Sequence, residues 1–300
     1  MPPTIVIVPG AWHFGTKHYK PLTERLESAG YKVIPLDLPS TSDNPPLTGW
    51  KDDITHIAQT IEQAADRGED VVLVMHSRGG HCGSDAAQGL SKTDRQAAGK
   101  KGGIVRCVFM CAFAAPAGLS VFFATNGPDE WIDVKHTVCS PTRVGEIFYN
   151  DCSPEQIEAA KRDIKPQSTL CFLLPLTYAA WKHIPSTYLV CEKDMGIPVA
   201  AQEAMISQPG ADFTVERCGA SHSPFLSMPD FTAEVVRRAA GEKRGAPGIV
   251  RWSVAVIVQS QFSDIRSTYK AFYKCLSVVL DGYLKTTMTP MFANADPLTR

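Results

Sequence analysis

Residues 74–80 read VMHSRGG, and this stretch decides the fold that the sequence predicts. The apolar run DVVLVM at 70–75 is typical of a buried strand, and it leads directly to Ser77. A sharp turn from strand to helix strains the backbone and lifts the serine Oγ above the sheet, where it can act as a nucleophile. Gly79 supplies the small residue that such a turn needs, but Met75 stands where the usual G-x-S-x-G pattern has glycine. An ordinary turn serine in front of a helix is the alternative interpretation.

Strands and helices alternate through most of the chain. Short runs rich in β-branched residues predict strands at 4–8, 32–36, 70–75, 104–112, 186–191 and 212–215. Apolar residues at helical spacing predict helices at 18–29, 50–65, 78–90, 199–207 and 225–240. Strands separated by helices imply right-handed crossovers and a mostly parallel sheet flanked by helices, so the predicted fold class is α/β.

Residues 113–185 interrupt this alternation. They are rich in proline and in aromatic residues, and they predict a mainly helical cap inserted into the α/β domain. The core of that domain is then made of residues 1–112 and 186–240. The linker-like stretch GEKRGAPG begins a C-terminal extension, residues 241–300, whose role the sequence does not indicate.

Composition and charge narrow the function classes. Hydrophobic residues make up 44% of the chain and charged residues 20%, a mixture that suits a globular core and excludes a mainly disordered chain. Lys and Arg total 30 against 31 Asp and Glu, and the net charge of −1 favours neither nucleic acid nor an anionic membrane surface as partner. No run of about 20 apolar residues occurs, so no membrane span is predicted. A small molecule is the expected partner, and the chain is compatible with a homodimer.

Cysteine and histidine patterns give no indication of a cofactor. The nine cysteines are odd in number and show no CxxC zinc spacing. They indicate mostly buried thiols in a reducing compartment, and the opening residues resemble no secretory signal, so the expected location is cytoplasmic. The eight histidines lack metal-binding spacing, and no nucleotide-binding glycine motif follows a strand. Neither a metal nor another cofactor is predicted.

Two further polar residues follow predicted strands. Asp194 lies in CEKDMGIP after the strand at 186–191, and His222 lies in CGASHSPF after the strand at 212–215. Because the carboxyl ends of parallel strands meet at one edge of a sheet, both are expected to lie near Ser77. The order Ser, Asp, His is that of a hydrolase triad, in which the imidazole takes the serine proton and the carboxylate orients the imidazole. A capping aspartate and a solvated loop histidine are the alternatives.

The loop after the first strand, PGAWH at 9–13, is the candidate for binding the negative oxygen of an acyl-transfer intermediate. Fixed backbone N–H groups must meet that charge. The Ala11 amide is one expected donor, since Gly10 allows close approach, and the Arg78 amide at a helix N-terminus is the other. The Arg78 side chain has three open interpretations: it binds an acidic group of the substrate, it pairs with an acid of the cap, or it points to solvent.

Several segments together resemble the α/β-hydrolase fold, and the closer match is the branch that contains plant salicylate and jasmonate methyl esterases, hydroxynitrile lyases and related microbial esterases. The segments are VPGAWH at 8–13, DLPS at 37–40, VMHSRGG at 74–80, YNDCSPEQ at 149–156, LVCEKDMGIP at 189–198 and GASHSPF at 219–225. The resemblance spans residues 4–240. It implies an esterase with a helical cap and no cofactor. The site residues that it implies are Ser77 as nucleophile, Asp194 as acid, His222 as base, and the Ala11 and Arg78 amides as oxyanion donors.

The chain also departs from the pattern of this branch. Pro9 replaces a common histidine, Met75 replaces the small residue of the turn, and Arg78 replaces an apolar or aromatic residue. The lyases of the branch depend on a threonine beside the oxyanion loop and a lysine next to the catalytic histidine. Gly10 and Ser223 stand at those positions, so the resemblance argues against cyanohydrin cleavage.

Aromatic residues of the cap are expected to roof the space above Ser77. The expected pocket walls are Trp12 of the oxyanion loop and Phe113, Phe122, Phe123, Trp131 and Trp181. Such walls suit a small, largely apolar ester, lactone or thioester, cleaved through an acyl-enzyme on Ser77. Two alternatives stay open. One is non-hydrolytic carbonyl chemistry on a natural-product intermediate (C–C cleavage, Dieckmann-type cyclisation or lactonisation) with the same triad, and the other is ligand binding without catalysis.

Overall fold

The computed structural model describes residues 2–242. The predicted C-terminal extension therefore lies outside the described residues, except for Gly241 and Glu242. The described part contains nine strands: β1 Thr4–Val8, β2 Val33–Pro35, β3 Asp70–His76, β4 Gly103–Met110, β5 Ile132–Lys135, β6 Val138–Pro141, β7 Gln167–Ser168, β8 Ser186–Cys191 and β9 Phe213–Cys218.

Twelve α-helices lie between and after these strands in the described residues. They are α1 Gly15–His18, α2 Lys20–Ser28, α3 Gly49–Asp66, α4 Gly79–Ala86, α5 Lys92–Ala97, α6 Val121–Ala124, α7 Val144–Phe148, α8 Pro154–Asp163, α9 Leu170–Leu173, α10 Val199–Ile206, α11 Pro224–Ser227 and α12 Pro229–Ala239. None of the helices in residues 2–242 is both long enough and apolar enough to cross a membrane.

The central sheet has six strands in the order β2-β1-β3-β4-β8-β9, and every neighbouring pair is parallel. The mostly parallel sheet flanked by helices that the sequence predicted is confirmed. The chain leaves β1 to one side for β2 and returns to the other side for β3. Ligand sites of open α/β sheets lie at such a switch point, outside the carboxyl ends of the strands. This topology places the loop after β1 next to the turn after β3.

Alternate residues of the strands pack on opposite faces of the central sheet. In β1, Val6 and Val8 belong to one hydrophobic cluster, and Ile5 and Ile7 belong to the other. The period of two follows from strand geometry, in which successive side chains point to opposite faces. Helices α3 and α4 contribute to the first cluster, and α2 and α12 contribute to the second. Both faces are therefore covered, which explains why the inner strands β1 and β3 are mostly apolar.

The segment from residue 113 to 185 contains α6 to α9 and a three-stranded antiparallel sheet of β5, β6 and β7. The helices were expected, but the small sheet was not. Its strands are two to four residues long, and a two-residue turn joins Lys135 to Val138. His136 in this turn has a φ of +56°. A turn built on His136 and Thr137 lacks the Asn-Gly or Asp-Gly signal by which a short hairpin is recognised in a sequence.

Proline and glycine positions explain where the helices differ from the expected ones. The helix expected at 225–240 is divided into α11 and α12, because Pro229 fits the first turn of a new helix but cannot continue an old one. The helix expected at 78–90 ends at Ala86, shortly before Gly89, which has a φ of +72°. The last strand runs to Cys218 rather than to Val215, which brings it to within four residues of His222.

The cysteines of the described residues are free thiols. All are buried except Cys152, which is half-buried. Cys191 and Cys218 are register partners on β8 and β9, and their sulfurs, 3.7 Å apart, share a hydrogen bond and not a disulfide. Cys275 lies outside the described residues.

Candidate active site

The turn between β3 and α4 holds Ser77 in a strained backbone conformation. Its φ is +53°, a backbone conformation that residues other than glycine rarely adopt. The backbone carbonyl of Ser77 accepts hydrogen bonds from the amides of Gly80 and Phe113, both at 3.0 Å. A Cβ on Gly79 would lie 2.7 Å from the carbonyl oxygens of Val8 and Pro9, so no larger residue fits there. The glycine that the sequence pattern singled out is therefore required by close packing of α4 on β1.

The structure brings Ser77, His222 and Asp194 together. The Ser77 hydroxyl lies 2.9 Å from Nε2 of His222, and Nδ1 of His222 lies 2.9 and 2.8 Å from the two carboxylate oxygens of Asp194. Because a carboxylate only accepts, Nδ1 carries the proton and Nε2 accepts from the Ser77 hydroxyl. All three side chains are buried, Ser77 being the most accessible at 8%. This arrangement can move a proton from the serine to the imidazole.

Asp194 is held by donors other than the imidazole. Its Oδ1 accepts hydrogen bonds from the backbone amides of Gly196 and Ile197 at 2.7 and 2.8 Å, and its Oδ2 accepts one from Nε2 of Gln202 at 3.3 Å. Gln202 lies on α10 and also bonds Cys191 at the end of β8. The carboxylate is thus kept in an orientation in which it can accept from His222.

A chain of hydrogen bonds behind the turn joins three separate loops. The Gly10 amide donates to the Tyr19 hydroxyl at 3.0 Å, and this hydroxyl donates to Nδ1 of His76 at 2.6 Å. Nε2 of His76 then donates to the backbone carbonyl of His222 at 2.7 Å. Every N–H and O–H group of this chain has its own acceptor only if the His76 imidazole is neutral. Burial favours the neutral form, because it lowers the pKa of His76 well below its usual value. The chain therefore connects the loop after β1, the Ser77 turn and the His222 loop.

Trp12, in the loop after β1, is held by the segment inserted between β4 and β8. Its φ is +64°. Its amide donates to Oε1 of Gln167 at 3.2 Å, and its indole Nε1 donates to the carbonyl of Cys139 at 3.0 Å. Its own carbonyl accepts from the amide of Lys165 at 3.2 Å. The backbone conformation next to Ala11 thus depends on three contacts with this segment.

His13 supports the same loop from the other side. Its Nδ1 donates to the Ala11 carbonyl at 2.6 Å, and its Nε2 accepts from the Tyr149 hydroxyl at 2.7 Å. Burial lowers the pKa of His13 well below its usual value, and the nearby His18 lowers it further. A neutral His13 satisfies both hydrogen bonds and orients the Ala11 peptide.

The Arg78 side chain takes neither the solvent position nor the pairing with a cap acid that were considered from the sequence. It is 1% exposed, and its Nη2 donates to the carboxylate of Asp53 on α3 at 2.8 Å. Asp53 also accepts from the amide and hydroxyl of Ser40, and Ser40 accepts in turn from Gln167. This buried polar cluster of Arg78, Asp53, Ser40 and Gln167 ends at the Trp12 amide.

A cavity opens above Ser77. Ala11 and Arg78 contribute to its lining, together with Ser77 and His222. The rest of the lining is Trp12, Phe113, Val121, Phe122, Thr125, Asp129, Trp131, Ile132, Phe148, Phe172, Gly196 and Ile197. The walls are therefore mainly apolar, with six Phe or Trp rings and one carboxyl group among them.

Two aromatic residues that were expected at the pocket lie elsewhere. Phe123 is 36% exposed, because it follows Phe122 on α6 and successive helical side chains point in different directions. The Trp181 indole donates to the carbonyl of Ala115 and packs against Phe213, the first residue of the edge strand β9. Phe148 and Phe172 take part in the walls instead, both stacked on Trp12 at ring distances of 5.8 and 5.3 Å.

Comparison with known proteins gives the family. The sequence matches the description "Alpha/beta hydrolase family" over residues 5–235. This chain belongs to the alpha/beta hydrolase family. The alpha/beta hydrolase nvfD of Aspergillus novofumigatus is 36% identical over 246 residues, which cover 80% of this chain and 97% of that protein. Methylesterase 7 of Arabidopsis thaliana is 23% identical over 247 residues, which cover 75% and 91%. The crystal structure of the pyrethroid hydrolase PytH matches with a TM-score of 0.64 at 22% identity, covering 79% of this chain and 97% of that one, a likeness in fold.

The predicted resemblance to the branch with plant methyl esterases is thereby confirmed. In this alpha/beta hydrolase the loop after β1, the Ser77 turn and the loops after β8 and β9 all meet at the carboxyl edge of the sheet. Tyr19, Asp53 and Gln167 hold these loops in place, and no sequence pattern pointed to them.

One group of potential metal ligands occurs within residues 2–242 of the alpha/beta hydrolase. Ligand atoms of His76, Cys111 and His222 lie within 4.8 Å of one another. Both ring nitrogens of His76 and both of His222 are already engaged in the hydrogen bonds described above. Burial also raises the pKa of the Cys111 thiol to about 12. The lone pairs of both imidazoles are thus already used in hydrogen bonds and the thiol holds its proton, which does not suit a metal site.

Proposed function

We propose that this alpha/beta hydrolase cleaves small, largely apolar carboxylic esters, lactones or thioesters through an acyl-enzyme on Ser77. The single observation that carries the proposal is the pair of hydrogen bonds that joins the Ser77 hydroxyl, the His222 imidazole and the Asp194 carboxylate. An activated serine at the floor of a cavity is the arrangement that nucleophilic acyl transfer requires. The similarity to a plant methylesterase supports an ester as the substrate class.

The reaction follows from the positions of the protons. The Ser77 oxygen attacks the ester carbonyl while Nε2 of His222 takes its proton, and Asp194 stabilises the imidazolium that forms. The amides of Ala11 and Arg78 are the proposed donors to the negative oxygen of the tetrahedral intermediate. His222 then gives its proton to the departing alcohol oxygen as the C–O bond breaks. A water molecule, deprotonated by the same imidazole, attacks the acyl group and releases the acid and free Ser77.

The cavity walls support an apolar group next to the reacting carbonyl. Trp12, Phe148 and Phe172 stack in one group, and Trp131 meets Trp12 edge-on at 5.8 Å. Aromatic surfaces of this kind favour aliphatic or aryl groups of the substrate over strongly hydrated ones.

The proposal is tested by active-site labelling combined with ester hydrolysis. The wild type, Ser77→Ala and the control Ser28→Ala, at an exposed position on α2, are each treated with a fluorophosphonate probe and assayed on p-nitrophenyl esters of increasing chain length. We expect labelling of the wild type and the control but not of Ser77→Ala, and a fall in turnover by several orders of magnitude in Ser77→Ala. Rates in Ser77→Ala equal to those of the wild type would rule out the acyl-enzyme.

Product analysis separates hydrolysis from the other chemistry that the same residues could perform. Hydrolysis in H₂¹⁸O places the heavy oxygen in the released acid. Cyclisation or C–C cleavage without attack by water leaves a product free of that label. Labelled acid from a Ser77-dependent reaction is the expected result.

A further inference from the structure

The stretch YNDCSPEQ at 149–156 connects helix α7 to helix α8. Its second half has a local role, because Ser153 and Gln156 form a capping box at the start of α8. Its first half belongs to no helix or strand. Tyr149 and Asn150 instead contact loops that hold the candidate active site.

Residues 148–150 are bonded to two of the three loops at the carboxyl edge of the sheet through their ends. The Asn150 side chain donates to the carbonyl of Lys193, directly before the triad aspartate, at 3.0 Å. The carbonyl of Phe148 accepts from the hydroxyl of Ser221, directly before the triad histidine, at 3.1 Å. The residue between them is therefore held in a fixed position relative to the loops after β8 and β9.

Tyr149, the residue between them, contacts the third loop through His13. Its hydroxyl donates to Nε2 of His13 at 2.7 Å, and both side chains are buried. Burial raises the pKa of Tyr149 well above its usual value, so the hydroxyl keeps the proton that this hydrogen bond requires. On the other edge of the imidazole, Nδ1 donates to the Ala11 carbonyl at 2.6 Å. Hydrogen bonds on both edges fix the tautomer and the orientation of the ring.

His13 holds the two peptide groups on either side of Ala11. The His13 amide donates to the Gly10 carbonyl at 3.4 Å, and the His13 ring donates to the Ala11 carbonyl. The Gly10 carbonyl and the Ala11 N–H belong to one planar peptide group and point in opposite directions. A fixed Gly10 carbonyl therefore fixes the direction of the Ala11 N–H, which is one of the two proposed oxyanion donors.

We propose that Tyr149 is a positioning residue for oxyanion binding: its hydroxyl, acting through His13, sets the direction of the Ala11 N–H. This inference rests on the proposed acyl transfer at Ser77. An oxyanion donor is effective when it points at the developing charge before the reaction begins, because no reorganisation is then needed in the transition state. Loss of the hydroxyl should therefore weaken the binding of a charged tetrahedral adduct and leave the binding of an uncharged ligand as it is.

The position of Tyr149 makes this effect separable from a change in the shape of the cavity. Tyr149 is not one of the described residues that line the cavity above Ser77, although its neighbour Phe148 is. Tyr149→Phe also keeps the ring, which packs edge-on against Phe148 and His13. The substitution thus removes one hydroxyl and leaves the cavity walls in place.

The test compares two ligands, of which only one forms an adduct. With butyl trifluoromethyl ketone, the Ser77 oxygen bonds to the ketone carbon, the Ser77 proton passes to Nε2 of His222, and the ketone oxygen becomes the negative oxygen of the adduct. The corresponding secondary alcohol has the same chain but no carbonyl to attack. The inhibition constants of both, with kcat and KM on the best p-nitrophenyl ester, are measured for the wild type and Tyr149→Phe. Active-site titration with the fluorophosphonate probe corrects kcat for misfolded protein.

In Tyr149→Phe we expect the inhibition constant of the ketone to rise and kcat to fall, each by about 10- to 100-fold, the range of a small displacement of a catalytic group. KM and the inhibition constant of the alcohol should change little. The control Tyr178→Phe, whose ring stacks on His183 away from the cavity lining, should match the wild type. An equal loss of affinity for ketone and alcohol, or unchanged kcat and ketone affinity, would overturn the proposal.

A second background tests the route through His13. In His13→Leu the Tyr149 hydroxyl has lost its acceptor, so adding Tyr149→Phe should change kcat and the ketone affinity little, as expected for two residues of one network. A further loss of about 10- to 100-fold in that background would overturn the proposal, because the hydroxyl would then act independently of His13. If the wild type neither turns over any ester through Ser77 nor forms the ketone adduct, the proposed function itself fails. Wild-type turnover that Tyr149→Phe does not affect would refute only the role of Tyr149.

Discussion

The thioether of Met75 fills the space in which a side chain at residue 83 would lie. A Cβ built on Gly83 would be 2.7 Å from Sδ and 2.9 Å from Cγ of Met75. Met75 is fully buried on β3, and Gly83 lies in the middle of α4. The large residue two places before Ser77 is thus accommodated by a glycine on the helix that follows the turn.

The Met75–Gly83 contact predicts a coupled effect on stability. Gly83→Ala gains up to ~1 kcal/mol of helix propensity, but the added methyl group must displace the buried Met75 side chain, which typically costs about 1–3 kcal/mol. In a Met75→Ala background the same change meets no obstacle and should stabilise the protein. Chemical denaturation of both single variants and the double variant measures the coupling, expected to be about 1–3 kcal/mol. Additive effects would show that Met75 moves aside freely.

Removing the Tyr19 hydroxyl should reduce both stability and activity. In Tyr19→Phe the Gly10 amide and Nδ1 of His76 both lose their partner, and each unsatisfied buried group costs about 1–3 kcal/mol. Small displacements of Gly10 and His222 should also lower kcat by about 10- to 100-fold with little change in KM. Urea denaturation and steady-state kinetics on the best ester measure the two effects.

Tyr31→Phe is the matched control for this variant, since the Tyr31 hydroxyl donates to Glu242 and, within residues 2–242, bonds none of the site residues. It should keep full activity. An equal loss of kcat in Tyr31→Phe and Tyr19→Phe would contradict a positioning role for the Tyr19 hydroxyl.

The positions of Ser77, Asp194 and His222 could be predicted from the sequence because each follows a strand. A parallel sheet brings the carboxyl ends of its strands to one edge, whatever the details of side-chain packing. The same rule predicted that the loop containing Ala11 lies beside Ser77. Periodicity and strand order were therefore sufficient for the location of the candidate site.

The residues that hold these loops could not be predicted in this way. Tyr19 is 57 positions from His76, and Trp12 is 155 positions from Gln167. Such contacts depend on how helices and the inserted segment pack on the sheet, and no local pattern records them. The direction of the Phe123 side chain was missed for the same reason, since composition shows that a segment is aromatic but not which ring faces the cavity.

Asp194→Asn should remove most of the activity by changing the imidazole tautomer. The asparagine oxygen can keep the hydrogen bonds from Gly196 and Ile197, so its amide N–H₂ turns to His222. Nδ1 must then accept, the proton moves to Nε2, and the imidazole can no longer take the proton of Ser77. We expect kcat to fall by about 10³- to 10⁴-fold, measured on the best ester and by the rate of fluorophosphonate labelling.

A nearby aspartate provides the control for Asp194→Asn. Asp151 accepts from the amide of Ser221, next to His222, without touching the imidazole. Asp151→Asn should therefore keep activity within about 10-fold of the wild type, the range of a small positional effect. If Asp194→Asn were no worse than Asp151→Asn, the role proposed for Asp194 would be lost.

The buried His81 should make the protein sensitive to acid. Burial lowers its pKa from 6.5 to about 4. Above pH 6.5 the imidazole is neutral in both the folded and the unfolded chain, so it has no effect on stability there. Below pH 6.5 the unfolded chain binds a proton that the folded chain rejects, so the free energy of unfolding falls as the pH falls, until about pH 4. The loss from this one group is about 1.4 kcal/mol for each pH unit, or about 2 kcal/mol at pH 5.

Replacing His81 by glutamine should remove this part of the pH dependence. Nε2 of His81 donates to the carbonyl of Leu119 at 3.0 Å, and a glutamine amide can supply the same donor. Urea denaturation at several pH values between 7.5 and 5 gives the slope for the wild type, His81→Gln and the control His136→Asn. His136 is exposed, and its φ of +56° suits asparagine. A shallower slope is expected for His81→Gln and an unchanged one for His136→Asn. The slope of His81→Gln should not vanish, because burial also lowers the pKa values of His13 and His76, which bind protons more readily in the unfolded chain. Parallel curves for the wild type and His81→Gln would mean that His81 takes up its proton in the folded protein at the same pH as in the unfolded chain.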